Sequence, residues 1–451
     1  MTHIAVIDIG KTNAKLALVD GATLTEIAVV TRPNKVLPGL PWPHFDLEGH
    51  WDFFLEHLTR VHSEHGVDAI SVTTHGASCV LLDHDGDLAA PMLDYEHPGP
   101  DLTRAEYEAI RPDFAQTGSP RLPMGLNVGA QLHWMLKIDP RLDQRLAHVL
   151  TYPQYWGWRL TGELASDVTS LGCHTDLWNP WKGQFSDLVE RLGLAGRIAP
   201  ARRANEILGK LRGNITARTG LKQDTPVSVG IHDSNASLYP YLLGREAPFA
   251  VVSTGTWVVA MAVGGDQVAL DPARDLLVNV DALGQPVPSA RFMGGREYDL
   301  IRAGSDAKPD DTERNKALAD GLMILPAVEP SSGPFAGRAM EWRGAPANEG
   351  QRIVALSWYL ALMTDLCLRL IGARGPTIVE GPFGRNPDYL AMLSALRPQG
   401  VEIAQSATGT STGAALLCMA HAKPPQTREV GSPQNAHALA RYAAAWRDAL
   451  G

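Results

Sequence analysis

The chain has 451 residues, of which 45% are hydrophobic and 20% are charged, as in ordinary folded proteins. This length exceeds what one compact core serves and predicts two domains of about 200 residues each. The formal charge of −9 and the lack of a basic run argue against nucleic acid and anionic membranes as partners.

Cysteine spacing and the apolar runs predict the compartment. The four cysteines lie far apart, without a C-x-x-C pair, which is typical of reduced and mostly buried thiols in a cytoplasmic protein. Met1 leads directly into an apolar run, so we expect no signal peptide. We also expect no membrane span, since the nearest apolar stretch, 248–263, is interrupted by a polar Ser-Thr-Gly-Thr sequence.

The chain opens with a predicted β-hairpin. An apolar run ends near Asp8, a short polar turn follows, and a second apolar run returns. Gly10 lets an anion approach the backbone closely, and Thr12, Asn13 and Lys15 offer it hydrogen-bond donors. Asp8 is placed to hold a cation through water. An ordinary hairpin turn is the alternative, because polar residues are common in such turns.

The Gly10-Lys11-Thr12 sequence is not a P-loop. That motif begins with a further glycine that is absent here, and it continues into a helix, whereas 13–20 reads as a strand.

A second stretch repeats the plan of the first hairpin. In 249–263 an apolar run, a polar turn centred on Gly255 and another apolar run follow one another. Thr254 and Thr256 flank this glycine as polar turn residues. Two such turns could hold one polyphosphate from both sides, so each half of the chain is expected to open in the same way.

The remainder of the first half predicts mixed elements in chain order. A Pro-rich loop at 33–43 precedes an amphipathic helix near 48–65, whose apolar stripe makes its histidines a solvated face rather than a metal site. An Asp-Gly pair predicts a tight turn after residue 84. Further helices are expected near 102–111, 127–138, 152–161 and 238–243, with strands at 67–73, 79–82, 88–93 and 227–230.

The second half begins at a predicted boundary, Gly244-Arg245-Glu246. Its expected elements are strands within 275–293 and at 322–328, helices at 296–302, 350–371 and 437–449, and an exposed polar segment at 304–320. The order strand, helix, strand, helix at 377–380, 387–396, 401–404 and 411–420 predicts parallel pairing with helices on the sheet faces.

Three further groups of residues could carry chemistry. Asp233 follows a buried strand and opens a helix, whose N-terminus favours its ionised form, although an ordinary helix cap explains it locally as well. Gly381 to Asn386 lies between a strand and a helix, where open α/β sheets bind ligands. The segments 75–77 and 94–96 offer imidazole, carboxylate and aromatic groups suited to a polyhydroxylated substrate.

Together these stretches resemble the FGGY carbohydrate kinases of the actin–Hsp70–hexokinase ATPase superfamily, over nearly the whole chain. Asp8-Ile-Gly10-Lys-Thr12-Asn13-x-Lys15 resembles the first phosphate motif, and Ser253-Thr254-Gly255-Thr256-Trp257 the second. Glu380-Gly381-x-x-Gly384-x-Asn386 is similar to the adenosine motif, and Gly230-Ile-His232-Asp233-Ser234-x-Ala236 to the loop that bears the base.

The resemblance implies an α/β fold of two ribonuclease-H-like (actin-like ATPase) domains flanking a central cleft for ATP, Mg²⁺ and sugar. It implies a sugar and phosphate domain at 1–244 and a nucleotide domain at 245–451, with Asp233 as catalytic base and Asp8 and Asp233 as metal ligands. The residues implied to bind the nucleotide are Asp8, Gly10, Thr12, Asn13, Lys15, Thr254, Gly255, Thr256, Gly381, Gly384 and Asn386. Those expected to bind the sugar are His75, Gly76, Ala77, Asp94, Tyr95, Glu96, His232 and Asp233.

The sugar itself stays open. The His232-Asp233 pair is similar to rhamnulose kinases, Thr74-His75-Gly76-Ala77 to xylulose kinases, and the Asp-x-Gly-x-Thr-Asn form to fuculose kinases. Lys11 stands where relatives carry Thr or Ala, Pro382 stands where they often carry Gly, and 94–97 lacks an arginine that many have. We therefore expect the sugar pocket to differ from those of the relatives.

We predict an ATP-dependent kinase that acts on a terminal hydroxyl of a small ketose or related polyol, with a homodimer left open. One alternative is a mechanochemical member of the superfamily, which would hydrolyse ATP without sugar. Another is a sugar-sensing regulator that has lost turnover. The joint presence of Asp8, Asp233 and both glycine turns favours the kinase.

Overall fold

The two hairpins predicted from the sequence are both present in the computed structural model, which describes residues 2–405, 409–419 and 425–451. In the first hairpin, strands His3–Ile9 and Asn13–Asp20 pair antiparallel, from His3 opposite Asp20 to Ile9 opposite Ala14. In the second hairpin, Phe249–Thr254 and Val258–Val263 pair in the same way.

The first hairpin belongs to a seven-stranded mixed sheet. Strand His3–Ile9 pairs parallel with Ala69–Thr74, and the short strand Ile231–His232 pairs parallel with Ala69–Thr74 from its other side. Because these three strands run the same way, their carboxyl ends lie at one edge of the sheet. Asp8 lies near the end of the first strand, and His75 and Asp233 directly follow the other two. The order across the sheet is Ile207–Gly209, Val227–Ser228, Ala69–Thr74, His3–Ile9, Asn13–Asp20 and Thr25–Pro33.

The edge strand Thr25–Pro33 was not predicted. It pairs antiparallel with Asn13–Asp20, and most of its residues are exposed or half-buried on both faces. A strand with little buried surface carries no clear alternation of apolar and polar residues, so the sequence pattern missed it.

The first unit's main core lies between this sheet and two helices. The predicted apolar stripe of helix Leu47–His65 is buried as expected, and Trp51 and Phe54 pack on Trp156 of helix Tyr152–Thr161. Strand Cys79–Leu82 pairs with Leu88–Ala90, which ends earlier than predicted, and with His148–Thr151. The other helices are Gly99–Thr103 (3-10), Arg104–Ile110, Phe114–Thr117, Val128–Ile138, Leu142–Arg145, Val168–Leu171, Leu188–Arg191, Gly213–Thr219, Asp233–Leu242 and Thr410–Leu416. Shorter strands lie at Val36–Leu37, His44–Phe45, Ser166–Asp167, Trp178–Asn179, Gln184–Phe185 and Ala201–Arg202.

The second hairpin belongs to a second seven-stranded sheet. Strand Phe249–Thr254 pairs parallel with Thr377–Glu380, which pairs parallel with Val401–Ala404, as the alternating strand and helix pattern predicted. The order across the sheet is Leu276–Val280, Pro286–Phe292, Val258–Val263, Phe249–Thr254, Thr377–Glu380, Val401–Ala404 and Thr427–Val430.

The helices of the second unit agree with the sequence except in one segment. The segment 304–320, expected to be only polar and exposed, contains the helix Asp311–Ala319, which begins with a capping box between Asp310 and Glu313 and buries Ala317. With one buried position, its apolar periodicity was too weak to indicate a helix. The others are Gly294–Arg302, Glu349–Leu370, Pro387–Leu396 and Ala436–Asp448, with 3-10 turns at Pro272–Arg274 and Pro382–Arg385 and short strands at Met323–Leu325 and Glu341–Arg343.

Helix Glu349–Leu370 corrects the expectation that no apolar stretch is long enough for a membrane span, since its length and composition alone would allow one. However, 83% of its apolar window is buried inside the protein. It is the core helix of the second unit, as its nearly continuous apolar sequence predicted.

The division of the chain differs from the predicted one in two segments. The first unit comprises Met1–Gly244, Val278–Pro286 and Thr408–Pro424, and the second comprises Arg245–Leu277, Val287–Ala407 and Pro425–Gly451. The break after Gly244 coincides with the predicted boundary. Two later segments nevertheless belong to the first unit, which a prediction of contiguous domains could not anticipate. The predicted helix 411–420 is observed as Thr410–Leu416, and Ala420 lies outside the described residues.

Helix Thr410–Leu416 packs closely against helix Asp233–Leu242 because Gly413 has no side chain. A Cβ at this position would lie 1.8 Å from the carbonyl oxygen of Ala236. We expect Gly413→Ala to lower the free energy of unfolding by about 2 kcal/mol, because the two helices must separate. Gly213→Ala, at a helical glycine with no atom within 4 Å of its Cβ position, is the matched control and should not destabilise. Equal urea midpoints for the two variants would contradict this packing.

Candidate active site

The turn of the first hairpin is fixed by hydrogen bonds from the buried residue Asn34. Asn34 Nδ2 donates to the carbonyl oxygen of Gly10 at 2.8 Å, and the Asn34 backbone nitrogen donates to the carbonyl oxygen of Thr12 at 2.9 Å. Buried His50 donates from Nε2 to Asn34 Oδ1 at 2.8 Å. Burial, the largest effect, lowers the pKa of His50 to about 4, so this histidine is neutral. The turn is thereby fixed, while the side chains of Thr12 and Asn13 remain exposed.

Asp8 is a buried carboxylate at the end of the first strand. Its Oδ2 accepts hydrogen bonds from Thr410 Oγ1 at 2.6 Å and Ser411 Oγ at 2.8 Å, and Lys15 Nζ lies 3.3 Å away. Burial lowers the pKa of Lys15, but the charges of Asp8 and Glu26 outweigh burial and raise it overall. Among the described residues these contacts all involve Oδ2, which leaves Oδ1 for a ligand.

Asp233 is the first residue of helix Asp233–Leu242, and His232 occupies the cap position. The alternative that Asp233 is only the cap of this helix is therefore wrong. Its Oδ1 accepts from the backbone nitrogen of Ser234 at 2.6 Å and lies 3.1 Å from His232 Nε2. Burial raises the pKa of Asp233 to about 6, and the nearby charge of Asp8 adds to the increase.

His232 is fixed on both sides. Its backbone nitrogen donates to Thr169 Oγ1 at 2.9 Å, and the Thr169 hydroxyl donates to Asp167 Oδ1 at 2.5 Å. Asn235 Nδ2 lies 3.3 Å from His232 Nδ1, so a neutral ring that accepts there donates from Nε2 toward Asp233. Burial lowers the pKa of His232 to about 4, which keeps the ring neutral.

The segment 75–77 lies beside these residues. His75 is buried, its Nδ1 lies 2.9 Å from the carbonyl oxygen of Gly76, and its Nε2 has no hydrogen-bond partner in the described part of the chain. Burial lowers its pKa to about 4. A Cβ at Gly76 would lie 2.7 Å from His232 Nε2, so this glycine permits the close approach. Ala77, with a φ of 55°, accepts at its carbonyl oxygen from Gln131 Nε2 at 2.6 Å.

The 94–97 loop completes the group through an aromatic ring and two carboxylates. The Tyr95 ring lies 5.3 Å from the His75 ring, measured between centroids. Burial and the charges of Glu96 and Asp233 raise the pKa of the Tyr95 hydroxyl. Asp94 pairs with Lys11, a residue of the first turn for which no role was predicted.

Asp8 and Asp233 fit a magnesium ion of the kind that accompanies a nucleotide. Both provide the hard oxygen ligands that Mg²⁺ prefers. The charge of Asp8 also contributes to the raised pKa of Asp233. No cluster of three or more His, Cys, Asp or Glu side chains that could hold a metal occurs among residues 2–405, 409–419 and 425–451. Because Mg²⁺ is usually held by one or two carboxylates with waters and phosphate oxygens, Asp8 and Asp233 are the residues that would hold it.

The second unit contains a cavity of about 1120 Å³ beside the second turn. Gly255, Thr256 and Asn386 line it, as do the rings of Tyr298 and Phe383, whose centroids are 5.9 Å apart. Four cationic side chains also line it, of which Arg296 pairs with Glu329 and Arg314 with Asp388: Arg296, Lys308, Arg314 and Arg385. Flat apolar walls beside cations and a glycine turn suit a base with attached phosphates.

The remaining predicted nucleotide residues build this cavity rather than line it. Thr254 donates from Oγ1 to the carbonyl oxygen of Glu380 and accepts there from the Phe383 backbone nitrogen at 3.1 Å. Gly381 has a φ of 82°, and a Cβ on it would lie 2.1 Å from the carbonyl oxygen of Thr254. A Cβ at Gly384 would lie 3.4 Å from Ile403.

Asn386 lines the cavity but uses much of its amide locally. Its Oδ1 accepts from the backbone nitrogens of Asp388 and Tyr389, both at 3.1 Å, and so caps helix Pro387–Leu396. Its Nδ2 donates to Ser357 Oγ at 2.9 Å, which leaves one amide hydrogen for a ribose hydroxyl.

The structure thus brings the predicted residues into two groups, one in each unit. Asp8, Gly10, Thr12, Asn13 and Lys15 join the sugar residues and Asp233 in the first unit, and the others surround the second turn. Sequence reasoning missed the residues that hold the first group: Lys11, Asn34, Thr169, Thr410 and Ser411. Each is far in sequence from its partner, and no local pattern could have identified it.

Comparisons with known proteins identify the family of both halves of the chain. A family model described as the FGGY family of carbohydrate kinases, N-terminal domain, matches residues 3–239, and one described as the carbohydrate kinase FGGY, C-terminal domain, matches 246–427. The crystal structure of a carbohydrate kinase from Novosphingobium aromaticivorans is 38% identical with a TM-score of 0.92, over 99% of this chain and 100% of that one.

Curated relatives are more distant and match only in part. An L-fuculokinase of Salmonella typhi is 28% identical over 58% of this chain and 57% of its own length. A rhamnulokinase of Yersinia pestis (strain Pestoides F) is 28% identical over 56% of this chain and 53% of its own length. The match therefore spans little more than half the length of these relatives.

The expected mixed α/β fold with two actin-like ATPase-type domains is confirmed. The chain belongs to the FGGY family of carbohydrate kinases.

Proposed function

We propose that the protein transfers the terminal phosphoryl group of ATP to a terminal hydroxyl of a small ketose or related polyol. The observation that carries this proposal is the surroundings of Asp233, a carboxylate with a raised pKa that faces a neutral histidine and lies near Tyr95 and His75. L-Rhamnulose, L-fuculose and xylulose are the acceptors we favour, since curated proteins named for such sugars are similar to this chain.

The proposed step is a direct in-line transfer. Ionised Asp233 takes the hydroxyl proton as the sugar oxygen bonds to the terminal phosphorus, and the bond between that phosphorus and the bridging oxygen of ADP breaks. The turns at Gly10 and Gly255 bind phosphate oxygens, and the cavity of the second unit binds the nucleoside. Asp8 and Asp233 would hold Mg²⁺, which when bound neutralises charge on the phosphates.

A cytoplasmic location is supported by the four free cysteines.

The non-catalytic alternatives are less well supported. A mechanochemical protein or a sugar sensor has no use for a base with a raised pKa beside a hydroxyl-binding site. ADP release should be measured across ketopentoses, 6-deoxyketohexoses, ketotetroses and polyols. A response to one structural class supports the kinase, and a flat response across the panel supports the sensor.

Asp233→Asn should lower acceptor-dependent kcat by at least about 100-fold, because the hydroxyl loses its general base. ATP affinity, measured by calorimetry without acceptor, should stay within about threefold. Asp224→Asn, at an exposed carboxylate of the same unit, is the matched control and should behave like the wild type. Retained turnover in Asp233→Asn would remove Asp233 from the role.

The pH profile tests the same group independently. Since Asp233 must be ionised to accept the proton and its pKa is raised to about 6, kcat/KM should fall tenfold per pH unit below that value. His75 and His232 titrate near 4 and should not shape this limb. A flat profile from pH 5 to 8 would contradict the assignment.

Gly255→Ala tests the second turn. The nearest atom to a Cβ there is the carbonyl oxygen of Trp257 at 3.8 Å, so the fold itself does not require glycine. We expect unchanged stability but at least a tenfold loss of ATP affinity, because the methyl group occupies the space of a phosphate oxygen. Gly381→Ala should instead destabilise the fold, because its φ is positive and its Cβ would clash. Unchanged ATP affinity in Gly255→Ala would exclude the turn from phosphate binding.

A further inference from the structure

Lys11 connects the first turn with the 94–97 loop. Its backbone lies between Gly10 and Thr12, but its Nζ pairs with Asp94 and lies 3.2 Å from Glu96 Oε2. The same nitrogen lies 4.4 Å from the centroid of the Tyr95 ring. The ammonium is therefore bound by two carboxylates and an aromatic face at once.

This position is close to the reacting groups. The Tyr95 ring that Lys11 covers lies 5.3 Å from the His75 ring, measured between centroids. Gly76, the residue after His75, is packed against His232, whose Nε2 lies 3.1 Å from Asp233 Oδ1. Lys11, Tyr95, His75 and Asp233 thus share one neighbourhood within the first unit.

The two ion pairs of Lys11 differ in burial. The pair with Glu96, whose side chain is 55% exposed, contributes little to stability. The Asp94 side chain is only 13% exposed, and Lys11 is the cation that balances its charge. Lys11 therefore connects the first turn with the 94–97 loop mainly through Asp94.

We propose that Lys11 is a specificity-determining residue of the acceptor site, where it recognises a hydroxyl of a neutral polyhydroxylated molecule. This inference rests on the proposed function and names the acceptor class for the same site. An ammonium has three N–H donors, and Asp94 and Glu96 use two of them. The third donates to an acceptor oxygen, while the remaining lone pairs of the carboxylates accept from neighbouring hydroxyls.

The charge balance selects against acidic acceptors. Asp94, Glu96 and Asp233 present three carboxylates against the single ammonium of Lys11. A sugar acid would bring a fourth carboxylate into this group, and like charges at such distances repel. A neutral ketose or polyol adds hydroxyls only, which both the carboxylates and the ammonium can pair with.

The test compares Lys11→Met, Lys11→Gln and Lys11→Arg with Lys35→Met, which changes an exposed lysine of the same unit. Two readouts are needed: calorimetric binding of the preferred neutral acceptor without ATP, and its KM and kcat with saturating MgATP. We expect Lys11→Met and Lys11→Gln to weaken acceptor binding and raise its KM at least tenfold, with ATP affinity and melting temperature nearly unchanged. Lys11→Arg should restore most of the binding, since it keeps the charge and donors.

Acidic acceptors give the second comparison. The wild type should bind the neutral acceptor at least 100-fold more tightly than the aldonate of the same carbon number. Acceptor binding within twofold of wild type in both Lys11→Met and Lys11→Gln would overturn the inference, as would preference for the aldonate. Binding that depends on Lys11 without any ADP release would refute the kinase but not this inference.

Discussion

The parallel pairing of three strands is the constraint on which the candidate active site depends. His3–Ile9, Ala69–Thr74 and Ile231–His232 are distant in sequence, yet they end together at one edge of the first sheet. Asp8, His75 and Asp233 come to that edge only through this pairing. A shift of one residue in the register would turn Asp8 to the opposite face of the sheet, so the register of the pairing also fixes the chemistry.

The carboxylates of this edge are balanced in different ways, and the differences match their proposed roles. Asp8 accepts hydrogen bonds from two hydroxyls and lies beside a lysine, and these contacts hold its carboxylate in place. Asp94 has Lys11. Asp233 has no Lys or Arg partner in the described part of the chain, and its neighbour His232 is neutral. A carboxylate whose charge is least compensated has a raised proton affinity, and that is the property a general base requires.

Many of the strands and helices around the site could be predicted because short sequence patterns determine them. The strands Thr377–Glu380 and Val401–Ala404 and the helix Pro387–Leu396 have the predicted bounds, and both hairpins are where they were expected. Apolar runs, glycine turns and Asn-Pro boundaries are short-range signals, which is why these elements could be predicted. Strand Thr25–Pro33 and helix Asp311–Ala319 were missed because they bury too little to show periodicity. The contacts of Lys11, Asn34 and Thr410 were beyond reach for another reason, since each depends on tertiary pairing between distant segments.

The most direct test of the central claim is a crystal structure with Mg²⁺, a non-hydrolysable ATP analogue and the acceptor selected by the sugar panel. The account predicts the terminal hydroxyl oxygen within about 2.6–3.2 Å of an Asp233 carboxylate oxygen, with the sugar against the Tyr95 ring. An acceptor bound in another part of the chain, or one with its terminal hydroxyl directed away from Asp233, would contradict the account.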